Sequence, residues 1–176
     1  MCIEVIEKYA EATSEQVVDI GKKLAESLGV ANTDFHKGWP CQFMTNKYNF
    51  SPASMGSLGL QEHTDSGFLT ILQKDEDVGG LEVVNKLGAF VPVWSNGRLH
   101  NVRHRVKCSE ASIRVSITTF LSGPKEEAIE APLELVDSDH PRLYVPFVYD
   151  NYRVSKFKLL EKLQADKALA LLRIPS

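Results

Sequence analysis

At 176 residues the chain has the length of one domain and can bury a sizeable core without a disulfide framework or a structural metal. Hydrophobic residues make up 43% and charged residues 24%, with a formal net charge of -3, which leaves no basic field for nucleic acid and no strong attraction to an anionic membrane. Cys2, Cys41 and Cys108 form no C-x-x-C pair, so a thiolate zinc site has no support and reduced thiols in a cytoplasmic protein are expected.

The first 28 residues read as a helix, with Val17, Ile20, Leu24 and Leu28 at three- and four-residue steps on one stripe and Gly29 as its stop. The start is too acidic and interrupted for a signal peptide, and no apolar run reaches the length of a membrane span. From Cys41 the pattern changes to short runs rich in Val, Ile, Phe and Thr: residues 41–45, 67–73, 81–84, 90–94, 101–106 and 114–121. From Ser155 to Leu172 the spacing becomes helical again. There is no internal repeat, linker or low-complexity segment. The expected organisation is a helical segment over 1–35, a β core over 36–150 and a C-terminal helix over 151–176. The class is mainly β with flanking helices, arranged as an antiparallel sandwich or barrel.

His63-Thr64-Asp65 is the first pattern that carries chemistry. In or beside a strand, residues two apart share a face, so an imidazole and a carboxylate can meet one ion. Two histidines and a carboxylate fill one face of an octahedral iron(II) and leave three positions open. The second histidine must come from elsewhere, and His36, His100, His104 and His140 are the choices. His36 and His140 lie in expected loops. His100 and His104 both flank a strand start, and the pattern favours His104, which sits inside the run V-R-H-R-V. Taken alone, an H-x-D is also compatible with a surface turn.

Arg114 and Ser116 open an apolar run and share a strand face. A guanidinium there is costly to bury unpaired. Its partner is either a carboxylate of the protein or one belonging to a ligand, and an Arg–Ser pair suits bidentate carboxylate recognition. Tyr48 can add a phenolic donor, although a tyrosine in that position is also a common rim residue.

The ordered series Asn46-Lys47-Tyr48, His63-Thr64-Asp65-Ser66-Gly67-Phe68-Leu69-Thr70-Ile71-Leu72, Val78-Gly79-Gly80-Leu81-Glu82-Val83, Trp94-Ser95-Asn96-Gly97-Arg98, His104-Arg105-Val106 and Arg114-Val115-Ser116 resembles the plant-type iron(II)/2-oxoglutarate-dependent dioxygenases. The wording around H-T-D-S-G-F-L-T-I-L-Q and W-S-N-G-R looks most like their auxin-oxidising branch. The resemblance covers nearly the whole chain. It implies a double-stranded β-helix (jelly roll) and Fe(II) held by His63, Asp65 and His104. It implies 2-oxoglutarate held at its distal carboxylate by Arg114 and Ser116, with Tyr48 helping and Asn46 beside it. The activity implied is an oxidation of the hydroxylation type on a small organic molecule, such as indole-3-acetic acid. O2 and 2-oxoglutarate are the co-substrates, and succinate and CO2 are released. A small-molecule substrate is the expected partner, and the oligomeric state is not specified.

Two departures from the family wording stand out. The chain opens within what reads as the long helix before the core. Between Val93 and Trp94 the family carries a Pro-Gly turn and an apolar strand ending in N-x-G-D, whereas F-V-P-V here runs straight into W-S-N-G. A strand with its turn is about 8 to 14 residues, so the jelly roll is expected to be incomplete. That loss can shift the strand bearing His104 and weaken iron binding. The alternative reading is thus a catalytically impaired splice variant or remnant that binds without turnover. A zinc hydrolase using the same ligands is a third, disfavoured by the Arg114/Ser116 pair.

Overall fold

The computed structural model describes residues 2–74, 77–86, 90–161 and 170–175. Helix α1 spans Cys2–Ser27, followed by strands β1 (Cys41–Asn49), β2 (Leu58–His63), β3 (Leu69–Lys74) and β4 (Leu81–Lys86). A short helix α2 (Phe90–Trp94) leads to β5 (Val102–Lys107) and β6 (Ile113–Leu121), then to the two-residue strands β7 (Ala128–Ile129) and β8 (Phe147–Val148) and helix α3 (Tyr149–Glu161). The expected helical tail beyond 161 falls largely outside the described residues.

Two antiparallel three-stranded sheets form the body, in the orders β1-β6-β3 and β2-β5-β4, and β7 pairs with β8 apart from them. Strand β6 is central in its sheet and buried on both faces. Its residues Thr119 and Leu121 lie under α1, where the Thr119 hydroxyl donates to Thr13 Oγ1 at 2.8 Å. Ser116, Thr118 and Phe120 point the other way, into the space between the sheets. This double burial explains the near-continuous apolar and hydroxyl character of the strand.

Helix α1 is rotated from the expected stripe. Val17 is buried, but Ile20 is 37% exposed. The row against the sheet is Thr13, Val17, Gly21 and Ala25, at successive four-residue steps. Small side chains at this contact let the helix lie close to the sheet; a Cβ on Gly21 would stand 3.6 Å from Leu69 and Phe68. Gly29 ends the helix as expected, at φ 77° with the Val30 N–H donating to the Ala25 carbonyl.

Residues 90–94, expected as a strand, form helix α2 instead. Pro92 cannot donate to a ladder, yet it is tolerated in a first helical turn, where its missing N–H has no intrahelical acceptor. The following W-S-N-G-R run is a clasp rather than part of the site. Asn96 adopts φ 49°, donates from Nδ2 to the Leu135 carbonyl at 3.0 Å and accepts the Leu143 N–H at 2.9 Å. Arg98 adds a second donor to Leu135.

The sequence reading also missed β2. Residues Leu58–His63 lack clean alternation, and the strand exists because β5 offers a ladder, with two register shifts along the pair.

The V-G-G-L run is explained by crowding. Gly80 has φ 109°, and a Cβ there would sit 2.3 Å from the Lys107 carbonyl oxygen, while the Gly80 carbonyl accepts the Lys107 N–H at 2.8 Å. Gly80→Ala is expected to destabilise the fold by at least about 1–3 kcal/mol, the usual cost of such backbone strain. A denaturant titration checks this, and an unchanged midpoint would show that the β4–β5 contact yields freely.

Candidate metal centre and anion pocket

His63 is the last residue of β2, and His104 lies in the middle of β5 directly opposite it in the ladder. Asp65 follows two residues later in the turn after β2 rather than in the strand. The three side chains offer two imidazole nitrogens and a carboxylate oxygen within 4.8 Å of one another. Asp65 Oδ1 stands 3.6 Å from His63 Nε2 and 3.8 Å from His104 Nε2, and the two rings are 4.4 Å apart. His104 stands opposite His63 in the ladder, held there by the pairing of β5 with both β2 and β4. Of the other histidines, His100 is exposed at the rim of a neighbouring cavity, and His36 and His140 are away from this cluster.

The ring orientations are set by the backbone. His63 Nδ1 lies 2.8 Å from the Gln61 carbonyl and His104 Nδ1 lies 3.1 Å from the Val102 carbonyl. A carbonyl oxygen only accepts, so each Nδ1 carries a hydrogen, and each Nε2 is turned toward Asp65. On Asp65, burial is the largest influence and pushes the carboxyl up. The His63 imidazole, the Thr70 hydroxyl and the His104 imidazole outweigh it, so the group is held below the ordinary carboxylate range. Thr70 Oγ1 donates to Oδ2 at 2.6 Å. Oδ1 is left facing both histidines. Two imidazole nitrogens and one carboxylate oxygen on one side of an open space fit a divalent iron with free positions.

Three groups that sequence reasoning missed hold this turn. Thr70 is one. Asn101, one residue before β5, donates from Nδ2 to the Asp65 carbonyl at 3.1 Å. Lys156 of α3 donates to the Thr64 and Asp65 carbonyls. Thr70 is two residues into the strand after the turn, and nothing in its spacing marks it. Asn101 and Lys156 lie 36 and 91 positions from Asp65, so no local pattern points to them.

Between the sheets lies a cavity of about 240 Å³ that all three triad residues line, together with Tyr48, Asn46 and Ser116. Register explains the company: Tyr48 is paired with Arg114 and Asn46 with Ser116 across β1–β6. Arg114 is fully buried. Its Nε donates to the Gly79 carbonyl at 3.1 Å, and its two terminal nitrogens have no hydrogen-bond partner among the described residues. The guanidinium lies 5.4 Å from the centre of the Tyr48 ring. Burial pushes the Tyr48 phenol above its ordinary value, against a smaller opposing pull from Arg114, so the phenol keeps its proton and can donate. A buried guanidinium with two unused donor groups asks for an anion. A planar carboxylate satisfies both at once.

A second cavity, of about 370 Å³, also reaches the triad. Asp65 and His104 line it along with Leu24, Phe68, Leu99 and Val102.

Residues 39–123 match the model of the 2OG-Fe(II) oxygenase superfamily. A rice protein (Oryza sativa subsp. indica), 2-oxoglutarate-dependent dioxygenase DAO, is 49% identical over 187 aligned residues covering 96% of this chain and 61% of that protein. The crystal structure of the dioxygenase for auxin oxidation in rice superimposes with a TM-score of 0.86 at 47% identity, over 97% of this chain and 63% of that one. The 2-oxoglutarate complex of dioxygenase for auxin oxidation 1 from Arabidopsis thaliana gives a TM-score of 0.74 at 50% identity, over 79% of this chain and 59% of that one. The chain thus spans about three-fifths of the length of these relatives. The two antiparallel sheets around the triad thus have the double-stranded β-helix fold of these oxygenase structures, and the match to the 2OG-Fe(II) oxygenase superfamily spans residues 39–123.

Proposed function

We propose that this chain carries the catalytic centre of an Fe(II)- and 2-oxoglutarate-dependent dioxygenase, with O2 as the other co-substrate, acting on a small organic acid of the auxin type. The observation that carries the reading is Arg114: buried, with two terminal nitrogens unpartnered among the described residues, and against Tyr48, which lines the same cavity as the His–Asp–His set. In this reading His63, Asp65 and His104 hold the iron. Arg114 grips the distal carboxylate of 2-oxoglutarate, Ser116 adds a hydroxyl, and the protonated Tyr48 supplies a third donor. The bound iron would supply the oxidising chemistry that no side chain can. The protein fixes the ligand geometry, neutralises the carboxylate and excludes water from the space between the sheets. The apolar cavity of about 370 Å³ is the place for the substrate, and the likeness to rice and Arabidopsis auxin dioxygenases supports the choice of indole-3-acetic acid as the first compound to assay.

A cytoplasmic setting fits the free Cys41 and Cys108. No helix among the described residues is long and apolar enough to cross a membrane. The charge supports a small-molecule partner over nucleic acid.

The test is anaerobic addition of Fe(II) and 2-oxoglutarate to the purified chain, followed by O2 and indole-3-acetic acid. A weak visible charge-transfer band and then substrate-dependent succinate are expected. A folded chain that gives neither would refute the proposal, and a band without succinate would reduce it to a binding domain.

A further inference from the structure

Lys156 is 2% exposed, and three hydrogen bonds run from it to the two residues that follow His63. Its ammonium lies 2.6 Å from the Thr64 carbonyl oxygen, 2.9 Å from Thr64 Oγ1 and 2.9 Å from the Asp65 carbonyl oxygen. An ammonium has N–H donors and no acceptor, so each of these contacts is a donation from the lysine to the turn. The Tyr152 ring, 5.8 Å from Nζ, lies on the same helix. A buried lysine needs its charge hydrogen-bonded, and here three such bonds are directed at the H-T-D turn.

We infer that Lys156 is a positioning residue for the metal centre: it sets the peptide planes on either side of Asp65 and thereby aims the carboxylate. The inference rests on the metal-centre reading above. Thr64 lies between the two ligand residues, so fixing its carbonyl and hydroxyl fixes the step from His63 to Asp65. The Asp65 carbonyl also accepts from Asn101, which precedes the strand bearing His104. Thr70 then holds Oδ2, and Oδ1 is the oxygen left for the ion. The turn has no ladder of its own at Asp65, so without Lys156 the carboxylate loses a contact that ties it to a distant helix. Metal sites tolerate only a few tenths of an ångström of ligand displacement, and loss of such an outer partner commonly costs about 10–100-fold in metal affinity.

The experiment is an Mn(II) titration of the purified chain, followed by electron paramagnetic resonance of the free ion, with far-UV circular dichroism and a thermal melt beside it. Lys156→Met keeps the apolar stem and removes the three donors. It is expected to remain folded and to bind Mn(II) about 10–100-fold more weakly. Thr64→Val, which removes only the hydroxyl acceptor, should give a smaller loss. Lys158→Met, exposed on the same helix, should bind as the unaltered chain does. If Lys156 merely fastened α3 to the body, Lys156→Met would melt earlier and yet bind Mn(II) with unchanged affinity, and that result would overturn the inference. If Lys156→Met does not fold, Thr64→Val decides, with unchanged affinity again the overturning result. Absence of Mn(II) binding by the unaltered chain would overturn the metal-centre reading itself and this inference with it.

Discussion

Asp65→Ala is expected to weaken Mn(II) or Fe(II) binding by more than about 100-fold, beyond what loss of an outer partner costs. The carboxylate is the only anionic member of the cluster. Its Oδ1 is equidistant, within 0.2 Å, from the two Nε2 atoms at 3.6 and 3.8 Å. Without it two imidazoles remain, which bind a divalent ion weakly and leave its charge uncompensated. The fold should survive, since Asp65 lies outside the strands and its loss leaves the β2–β5 and β3–β6 ladders intact. Unchanged circular dichroism with lost metal binding is thus the expected pair of observations. An affinity within a few-fold of the unaltered chain would mean that Asp65 does not ligate the ion. Thr70→Val keeps the carboxylate but frees Oδ2, and a loss of about tenfold is expected.

Arg114→Met should separate ligand binding from stability in opposite directions. In the ligand-free chain the guanidinium is fully buried with two unpartnered terminal nitrogens, and each such unmet donor costs about 1–3 kcal/mol. A thioether of similar length fills the space without that cost, although the Gly79 carbonyl loses its donor and Tyr48 its cation. The melting temperature is expected to hold or rise. Affinity for 2-oxoglutarate, measured by calorimetry with Mn(II) present, should fall by about two orders of magnitude or more. Two charge-assisted hydrogen bonds at about 1.5–3 kcal/mol each are lost, and about 1.4 kcal/mol corresponds to tenfold. A variant that binds 2-oxoglutarate normally would show that the anion is held elsewhere. One that unfolds would show that Arg114 is a structural member of the core.

These expectations rest on a division of labour between local pattern and distant contact. Strand β6 was readable because its alternation is local: Arg114 and Ser116 share a face whatever surrounds them. The H-T-D tripeptide was readable because its residue types have few other uses together. Neither could reveal that Tyr48 and Asn46 stand directly opposite Arg114 and Ser116, since ladder register between strands about 65 positions apart depends on the packing of the whole sheet. The stripe on α1 was misplaced for a related reason. Ile20 looks like core by hydrophobicity, but the helix approaches the sheet through Thr13, Gly21 and Ala25, and close approach selects small side chains over apolar ones. The run 90–94 looked like a strand from its composition, and Pro92 within a helical first turn decided otherwise.

The metal triad itself shows where legibility stops. Local sequence supplied the three residue types and, through the carbonyls two residues before each histidine, the means of fixing the ring tautomers. The meeting of His63 and His104 belongs to the β2–β5 ladder, which no short-range signal announces because β2 lacks a strand pattern of its own. The aim of Asp65 belongs to Thr70, Asn101 and Lys156, drawn from three separate elements. Residue chemistry is a property of the chain, whereas a ligand geometry good to a few tenths of an ångström requires restraints from several directions, and only the folded chain brings those directions together.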